Sequence, residues 1–215
     1  MKTLMGLFLK FYLWAHERLH ERILHSIAIR YFDGLHPKNI FHYRSEFFLS
    51  NLSPGDRVID VACGTGRILS AIAPSIEKGL GLDLSDQNLI ECQRLHEKKN
   101  LEFKKSDVLK ENYSLLRTQF PYNKAIFSHI LEHIEDVPAL LRAVAAEEVL
   151  ICVPSQENWH RQTLKHLGLR YTTDPTHFRE YTRPMLLEEL NSAGYAVLEM
   201  NFNSEGEIVC RAKYS

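Results

Sequence analysis

Apolar positions along this chain follow two spacings, one helical and one of short buried runs, and the change from the first to the second divides it. From Tyr12 onward, Ala15, Leu19, Ile23 and Ile27 recur at helical intervals, so about the first thirty residues read as one amphipathic helix or two in succession. Asp33-Gly34 breaks that pattern, and His36-Pro37-Lys38 leads into a second helical stretch with Ile40, Phe41, Phe47, Phe48 and Leu49 as its apolar side. After the turn Ser53-Pro54-Gly55-Asp56, short runs bounded by turn residues alternate with helical segments. Strands are predicted at 58–61, 79–83, 101–105, 124–128 and 148–153, and helices at 67–73, 86–97 and 136–146. Thr182 caps a further helix with Pro184 in its first turn and Gly194 at its end, and strands at 195–201 and 207–212 close as a hairpin through Asn203-Ser204-Glu205-Gly206. The expected organisation is a helical segment and cap over 1–52, then an α/β domain over 53–215 with an irregular insert at 155–182.

Composition narrows the partners. The chain has 215 residues, enough for one domain with a large core plus an appended helical segment. With 25% charged residues and a formal net charge of -1, it lacks the basic excess of a protein that binds long nucleic acid. Only a local patch, such as Lys98, Lys99, Lys104 and Lys105 brought together, would serve that purpose. Cys63, Cys92, Cys152 and Cys210 are scattered without a close pair, which fits small core residues in a reducing compartment and a cytoplasmic placement. At the start of the chain Lys10 interrupts the run Leu7-Phe8-Leu9 and no small-residue cleavage site follows, so neither a signal peptide nor a membrane span is expected.

Candidate chemistry centres on Val58-Ile59-Asp60-Val61-Ala62-Cys63-Gly64-Thr65-Gly66, a buried strand running into a small-residue turn and then a helix. Gly64 and Gly66 let the backbone approach a ligand closely, and the amides that open the helix suit an anionic group. The dinucleotide fingerprint does not fit, because Leu69 stands three positions after Gly66, where its third glycine belongs. Asp83 ends the second strand, seventeen positions after Gly66, where a carboxylate accepts hydrogen bonds from ribose hydroxyls. Its bland reading is a helix cap, although Ser85 and Asp86 are nearer to that role. Asp107-Val108 follows the third strand and Ser128-His129 the fourth, at the strand ends where open α/β sheets place their ligands. His16-Glu17-Arg18-Leu19-His20 matches a zinc-peptidase helix pattern, but no glycine and third histidine follow at the metzincin spacing, and a solvated helix face accounts for it.

The aspartate-initiated turn Asp60-Val61-Ala62-Cys63-Gly64-Thr65-Gly66 resembles the S-adenosylmethionine-binding motif of class I methyltransferases, with alanine in place of the first family glycine. Asp83, Asp107-Val108 and Ser128-His129 follow in the family's order, and the alternation over 57–212 is similar to its sheet. The resemblance implies a Rossmann-like seven-stranded, mostly parallel sheet with a terminal antiparallel hairpin, helices on both faces and an N-terminal helical extension. It implies S-adenosylmethionine as cofactor, held by Asp60, Ala62, Cys63, Gly64, Gly66, Asp83, Leu84, Asp107, Val108 and Ser128, with Asp107 and Val108 meeting adenine. As a bland alternative, Ser106-Asp107 is ordinary turn chemistry. His42, Tyr43 and Arg44 are placed to reach the methionine end or simply lie on the surface. His129, Glu132 and His133 are similar to a metal-binding variant found in a minority of related enzymes, but His129 replaces its first acid; hydrogen bonding at a helix start accounts for Glu132 and His133, and no metal is assigned.

The insert at 155–182 collects Trp159, His160, Arg161, Tyr171, His177, Phe178, Arg179 and Tyr181, a composition that suits a substrate lid. His36-Pro37-Lys38 and Asp174-Pro175-Thr176-His177-Phe178-Arg179-Glu180-Tyr181-Thr182 resemble small-molecule methyltransferases of bacterial sugar and surface-polysaccharide pathways. A methyl transfer to a sugar hydroxyl needs a base, for which His177 is the first candidate and His129 the second. The rival role of His177 is to pair with Glu180 and fix the insert. Trp159 and Tyr181 are candidates to stack on the acceptor or to pack the insert, and Arg179 to bind an acceptor phosphate or carboxylate. Two other classes stay open: a non-catalytic protein that keeps the cofactor pocket, and a nucleic-acid methyltransferase.

Overall fold

The computed structural model describes residues 2–19, 27, 30–31, 43–95, 98–157, 159–169 and 174–215. The helices in chain order are α1 (Lys2–Leu19), α2 (Tyr43–Ser50), α3 (Arg67–Ile72), α4 (Asp86–Leu95), α5 (Tyr113–Gln119), α6 (Val137–Val144), α7 (Trp159–His166) and α8 (Arg183–Ser192). The strands are β1 (Arg57–Val61), β2 (Lys78–Asp83), β3 (Leu101–Lys105), β4 (Lys124–Ser128), β5 (Glu148–Val153), β6 (Tyr195–Phe202) and β7 (Ile208–Tyr214). Two compact units result, one of Met1–His42 with Gln156–Pro175 and one of Tyr43–Ser155 with Thr176–Ser215. In the first, α1 and α7 are the described helices; residues 20–26 of the first helical pattern and 36–41 of the second lie outside the described residues.

The larger unit carries the sheet, in the order β3-β2-β1-β4-β5-β7-β6. β3, β2, β1, β4 and β5 run parallel, and β7 is antiparallel to both β5 and β6. The expected seven-stranded sheet with a terminal hairpin is therefore present, the last two strands being slightly longer than the sequence pattern suggested. Its order reverses between β1 and β4, so the crevice at the carboxyl ends of those strands is the natural ligand position.

Local signals explain most of the boundaries. Asp136 caps α6 by accepting from the Ala139 amide at 2.9 Å, with Pro138 in the first turn, and Ala145 ends it in the left-handed region at φ 44°. Thr182 does the same for α8 through the Met185 amide at 3.3 Å. The sequence pattern missed α5, a short helix whose cap Asn112 accepts from the Leu115 amide at 3.1 Å. Its seven residues bury only Tyr113 and Leu116, too brief a pattern to establish a period.

Two cores sandwich the sheet. On one face Tyr113, Leu116, Leu140, Leu141, Leu186 and Leu190 from α5, α6 and α8 pack with Ile59, Phe127 and Ile151 from the strands. On the other, Phe48, Leu69 and Ile72 from α2 and α3 pack with Val58, Ile126 and Leu150. The alternation of faces along β1, β4 and β5 follows the two-residue pleat. Near the amino ends of these strands the buried Lys124 ammonium donates to the Asn51 carbonyl at 2.7 Å and lies 3.2 Å from Asp56 and 3.4 Å from Glu148, which seats α2 against the sheet.

Candidate active site at the carboxyl edge of the sheet

β1 delivers Asp60 to the edge, and the turn that follows needs unusual backbone. Ala62, Gly64 and Gly66 all have positive φ, at 62°, 54° and 71°. The turn is closed by the Cys63 amide donating to the Leu82 carbonyl at 2.9 Å and the Gly66 amide to the Cys63 carbonyl at 3.0 Å. The two glycines serve different ends. A Cβ on Gly66 would lie 2.7 Å from the Phe103 ring and 3.0 Å from Cys92 Sγ, so that position is required by packing. A Cβ on Gly64 would meet nothing within 4 Å, so its bare face opens onto the crevice. Ala62 keeps a left-handed conformation that glycine adopts without strain. The helix that follows, α3, has only six residues, so its dipole is weak.

Asp83, at the tip of β2, is 7% exposed. Its Oδ2 accepts from the Gly64 amide at 2.8 Å, and its Oδ1 from the Ser85 amide at 2.9 Å and Asn88 Nδ2 at 3.0 Å. A carboxylate has about four acceptor positions, so three bonds orient it and leave capacity for a ligand hydroxyl. Ser85 is the helix cap, accepting from the Asn88 amide at 3.3 Å, which separates Asp83 from its bland reading. Asn88, one turn into α4, was missed by the sequence reading; its place five residues after Asp83 was the available signal. Leu84 stands exposed beside it.

Asp60 is 1% exposed, and its Oδ2 has no hydrogen-bond partner among the described residues. Burial, and secondarily the charge of Asp83, push its carboxyl up to about 7. A buried acid with an orphan oxygen beside a second acid is a place where a cation is welcome. Burial likewise raises the Cys63 thiol, so Cys63 is a neutral wall of the turn rather than a nucleophile.

The Ser106 amide, donating to the Asp83 carbonyl at 2.9 Å, brings β3's exit alongside. Asp107 Oδ1 accepts from the Leu109 amide at 3.1 Å and its Oδ2 lies 2.9 Å from Lys110; the lysine bond and that amide hold its carboxyl below the usual range. The Val108 carbonyl accepts from the Tyr113 hydroxyl at 2.9 Å, which ties this loop to α5. Val108 also borders a groove of about 430 Å³ between this loop and α6, lined by Tyr113, Ile134 and Leu140 among others.

At the end of β4, Ser128 is half-buried and His129 is held at φ 55° with its amide donating to the Cys152 carbonyl at 2.9 Å. The His129 ring lies between acids: Nε2 is 2.8 Å from Glu207 Oε1 and Nδ1 is 3.5 Å from Glu132 Oε1. Glu207 precedes β7 and comes to the site only through the hairpin, so no local sequence signal pointed to it.

Residues 176–182 dock beside this edge. The Phe178 amide donates to the Glu132 carbonyl at 2.9 Å, and Tyr181 bridges to Ser155. His177 Nδ1 is 2.9 Å from Glu180 Oε1, and its ring packs edge-on against His133 at 4.5 Å between centroids. Glu132, His133 and His177 can each offer a ligand atom within 4.8 Å of the other two, as can His129, Cys152 and Glu207; these are the described residues able to hold a metal ion. The Nδ1 atoms of His133 and His177 are taken by Thr176 at 3.0 Å and by Glu180.

Two expected acceptor contacts are corrected. Tyr181 is fully buried, its hydroxyl donating to Glu189 Oε2 at 2.6 Å, so its ring packs the core and offers no face to a sugar. Arg179 is bound to Glu189 Oε1 at 2.5 Å and to the Glu135 carbonyl at 2.7 Å, which ties it to α8 and the β4 exit rather than to a free anion. Of Trp159 the structure describes only its place as the first residue of α7. His42 and the second histidine of the zinc-peptidase pattern, His20, lie outside the described residues, while Tyr43 and Arg44 open α2.

The family described as "Methyltransferase domain" matches residues 34–200. A comparison with curated proteins finds no match. Among solved structures, magnesium protoporphyrin IX methyltransferase from Synechocystis, with bound SAH, is 16% identical and superposes with a TM-score of 0.63 over 83% of this chain and 86% of its own. A SAM dependent methyltransferase from Aquifex aeolicus is 17% identical with a TM-score of 0.63, over 83% and 94%. An O-methyltransferase family 2 protein from Planctomyces limnophilus, in complex with apigenin, is 17% identical with a TM-score of 0.61, over 80% and 57%. With the family match spanning most of its length and the glycine turn, Asp60 and Asp83 assembled at the switch point of the sheet, the chain belongs to the methyltransferase domain family and is an S-adenosylmethionine-dependent methyltransferase.

Proposed function

We propose that the chain moves the methyl group of S-adenosylmethionine to a hydroxyl of a small molecule, a sugar or related metabolite, with His177 as the base. The observation that carries this reading is the His177 Nδ1···Glu180 Oε1 contact of 2.9 Å at the β4 edge. A carboxylate on one ring nitrogen fixes the tautomer and leaves Nε2 as the basic atom, the arrangement a general base needs. The cofactor supplies an electrophilic methyl on a sulfonium; the acceptor oxygen forms the new C–O bond, the C–S bond breaks, and the hydroxyl proton passes to His177 Nε2. Aligning the reactants accounts for roughly 7–11 kcal/mol of the barrier in such a transfer.

Asp83 is assigned to the ribose, Asp107 and Val108 to adenine, and Asp60, Ala62, Cys63, Gly64, Gly66, Leu84 and Ser128 to the remainder of the cofactor. His129, between Glu132 and Glu207, is the second candidate base. No metal is given a part in the transfer. The small-molecule reading draws support from the net charge of -1 and from the pairing of Lys104 with Glu111 and of Lys105 with Asp86, which removes much of the local basic patch a nucleic acid would need. The Planctomyces limnophilus relative, an O-methyltransferase in complex with apigenin, supports an oxygen acceptor.

The test is His177→Gln assayed with an accepted hydroxyl substrate. Its kcat should fall by roughly 100-fold or more, with cofactor affinity unchanged and the acid limb of the pH–rate profile removed. An unchanged rate would reassign His177 to fixing the 176–182 segment.

A further inference from the structure

The helix α1 has an apolar face that turns away from its own packing. At 3.6 residues per turn, Leu4, Met5, Phe8, Phe11, Tyr12 and Leu19 share one arc of about 120°. All six are exposed, from 52% at Leu19 to 68% at Phe8. Leu13, on the far side of the helix, is only 3% exposed, so the helix is seated by that side while its broader apolar arc faces outward. Leu7 and Trp14 extend the exposed apolar surface beyond the arc's edge.

Charge is divided unevenly between this helix and the rest of the chain. The helix sequence contains Lys2, Lys10 and Arg18 against Glu17 alone, a net +2, while the whole chain is -1, so the remaining residues carry -3. An anionic surface therefore attracts this helix and repels the rest of the molecule. An 18-residue helix with bulky aromatic residues on an exposed apolar face, and a net positive charge along its sequence, has the make-up of a helix lying in a membrane interface. No helix among the described residues is long and apolar enough to cross a membrane, so the mode is surface attachment. We propose that α1 docks the enzyme on an anionic lipid bilayer, its Phe8 and Phe11 face entering the headgroup and acyl boundary.

The experiment is flotation of the full chain with vesicles of phosphatidylcholine alone and with about 30% phosphatidylglycerol. The expected result is binding to the anionic vesicles that weakens as salt rises, and a loss of roughly tenfold or more in Phe8→Glu/Phe11→Glu. Leu198→Glu, which removes an exposed leucine on β6, should bind as the wild type does. Cofactor affinity, equal in all three proteins, verifies their folding. Failure of the folded wild type to float with anionic vesicles would overturn the proposal. So would equal binding by the double variant, or a concentration-dependent dimer that the double variant abolishes in the absence of any vesicle binding, which would make the face a protein contact.

Discussion

At the scale of single residues, Asp60 sets a pH dependence. Its carboxyl is raised to about 7, first by burial and then by Asp83. Between its unfolded value of about 4 and the folded value, the native state holds a proton that the unfolded chain has lost. The stability this gives is fully present below about pH 4 and is lost as pH rises through about 7. Asp60→Asn should therefore be more stable than wild type at pH 8, by at most roughly 4 kcal/mol, and little different at pH 4, as denaturant titrations at the two values would measure. The cofactor's cationic groups favour the ionised form, so wild-type affinity should rise between pH 6 and 8 while that of the variant stays flat. A flat wild-type profile would remove Asp60 from the cofactor site. Ala62 offers a second measurement. Its φ of 62° costs about 1–2 kcal/mol in a non-glycine residue, and glycine returns part of that gain as chain entropy. Ala62→Gly should raise stability by up to about 1 kcal/mol, whereas a clear loss would mean that the alanine methyl is needed for packing.

At the scale of elements, the glycine turn is a packing device as much as a ligand cradle. Gly66→Ala would press a methyl group into Phe103 and Cys92 at an already left-handed position. A loss of roughly 2–4 kcal/mol in denaturant unfolding is expected, with cofactor affinity falling as the β1–α3 connection shifts. Neutral stability would show that Phe103 can move aside. The turn, Asp83 and the β6–β7 hairpin were legible in the sequence because each is specified locally, by glycines, a strand-end acid and a turn tetrapeptide. Tyr181 was not, because an aromatic in an irregular stretch reads as an available surface, and only the approach of Glu189 from α8 and Leu131 from the β4 exit shows that it is enclosed. Glu207 and Asn88 escaped for related reasons: one meets His129 through a long-range pairing of strands, and the other supports Asp83 from a helix whose polar face looks ordinary.

At the scale of the whole molecule, sheet order converts separate motifs into a site. Asp60, the Gly64 turn and Asp83 are brought together by the parallel β1–β2 register, Asp107 by β2–β3, and Ser128 with His129 by β1–β4. None of these contacts is local, yet the α/β alternation anticipated them because a strand, crossover and parallel strand have essentially one handedness and one end at which loops gather. What the alternation does not specify is side-chain pairing in the segment before α8, such as that of His177 with Glu180. The central claim, that this edge holds S-adenosylmethionine through Asp83, is tested most directly by calorimetric titration of that cofactor into the wild type and Asp83→Ala, with NAD as a parallel ligand. Binding to the wild type, weakened roughly tenfold or more in the variant and absent for NAD, is the predicted result. Equal affinity in the two proteins, or preference for NAD, would contradict it.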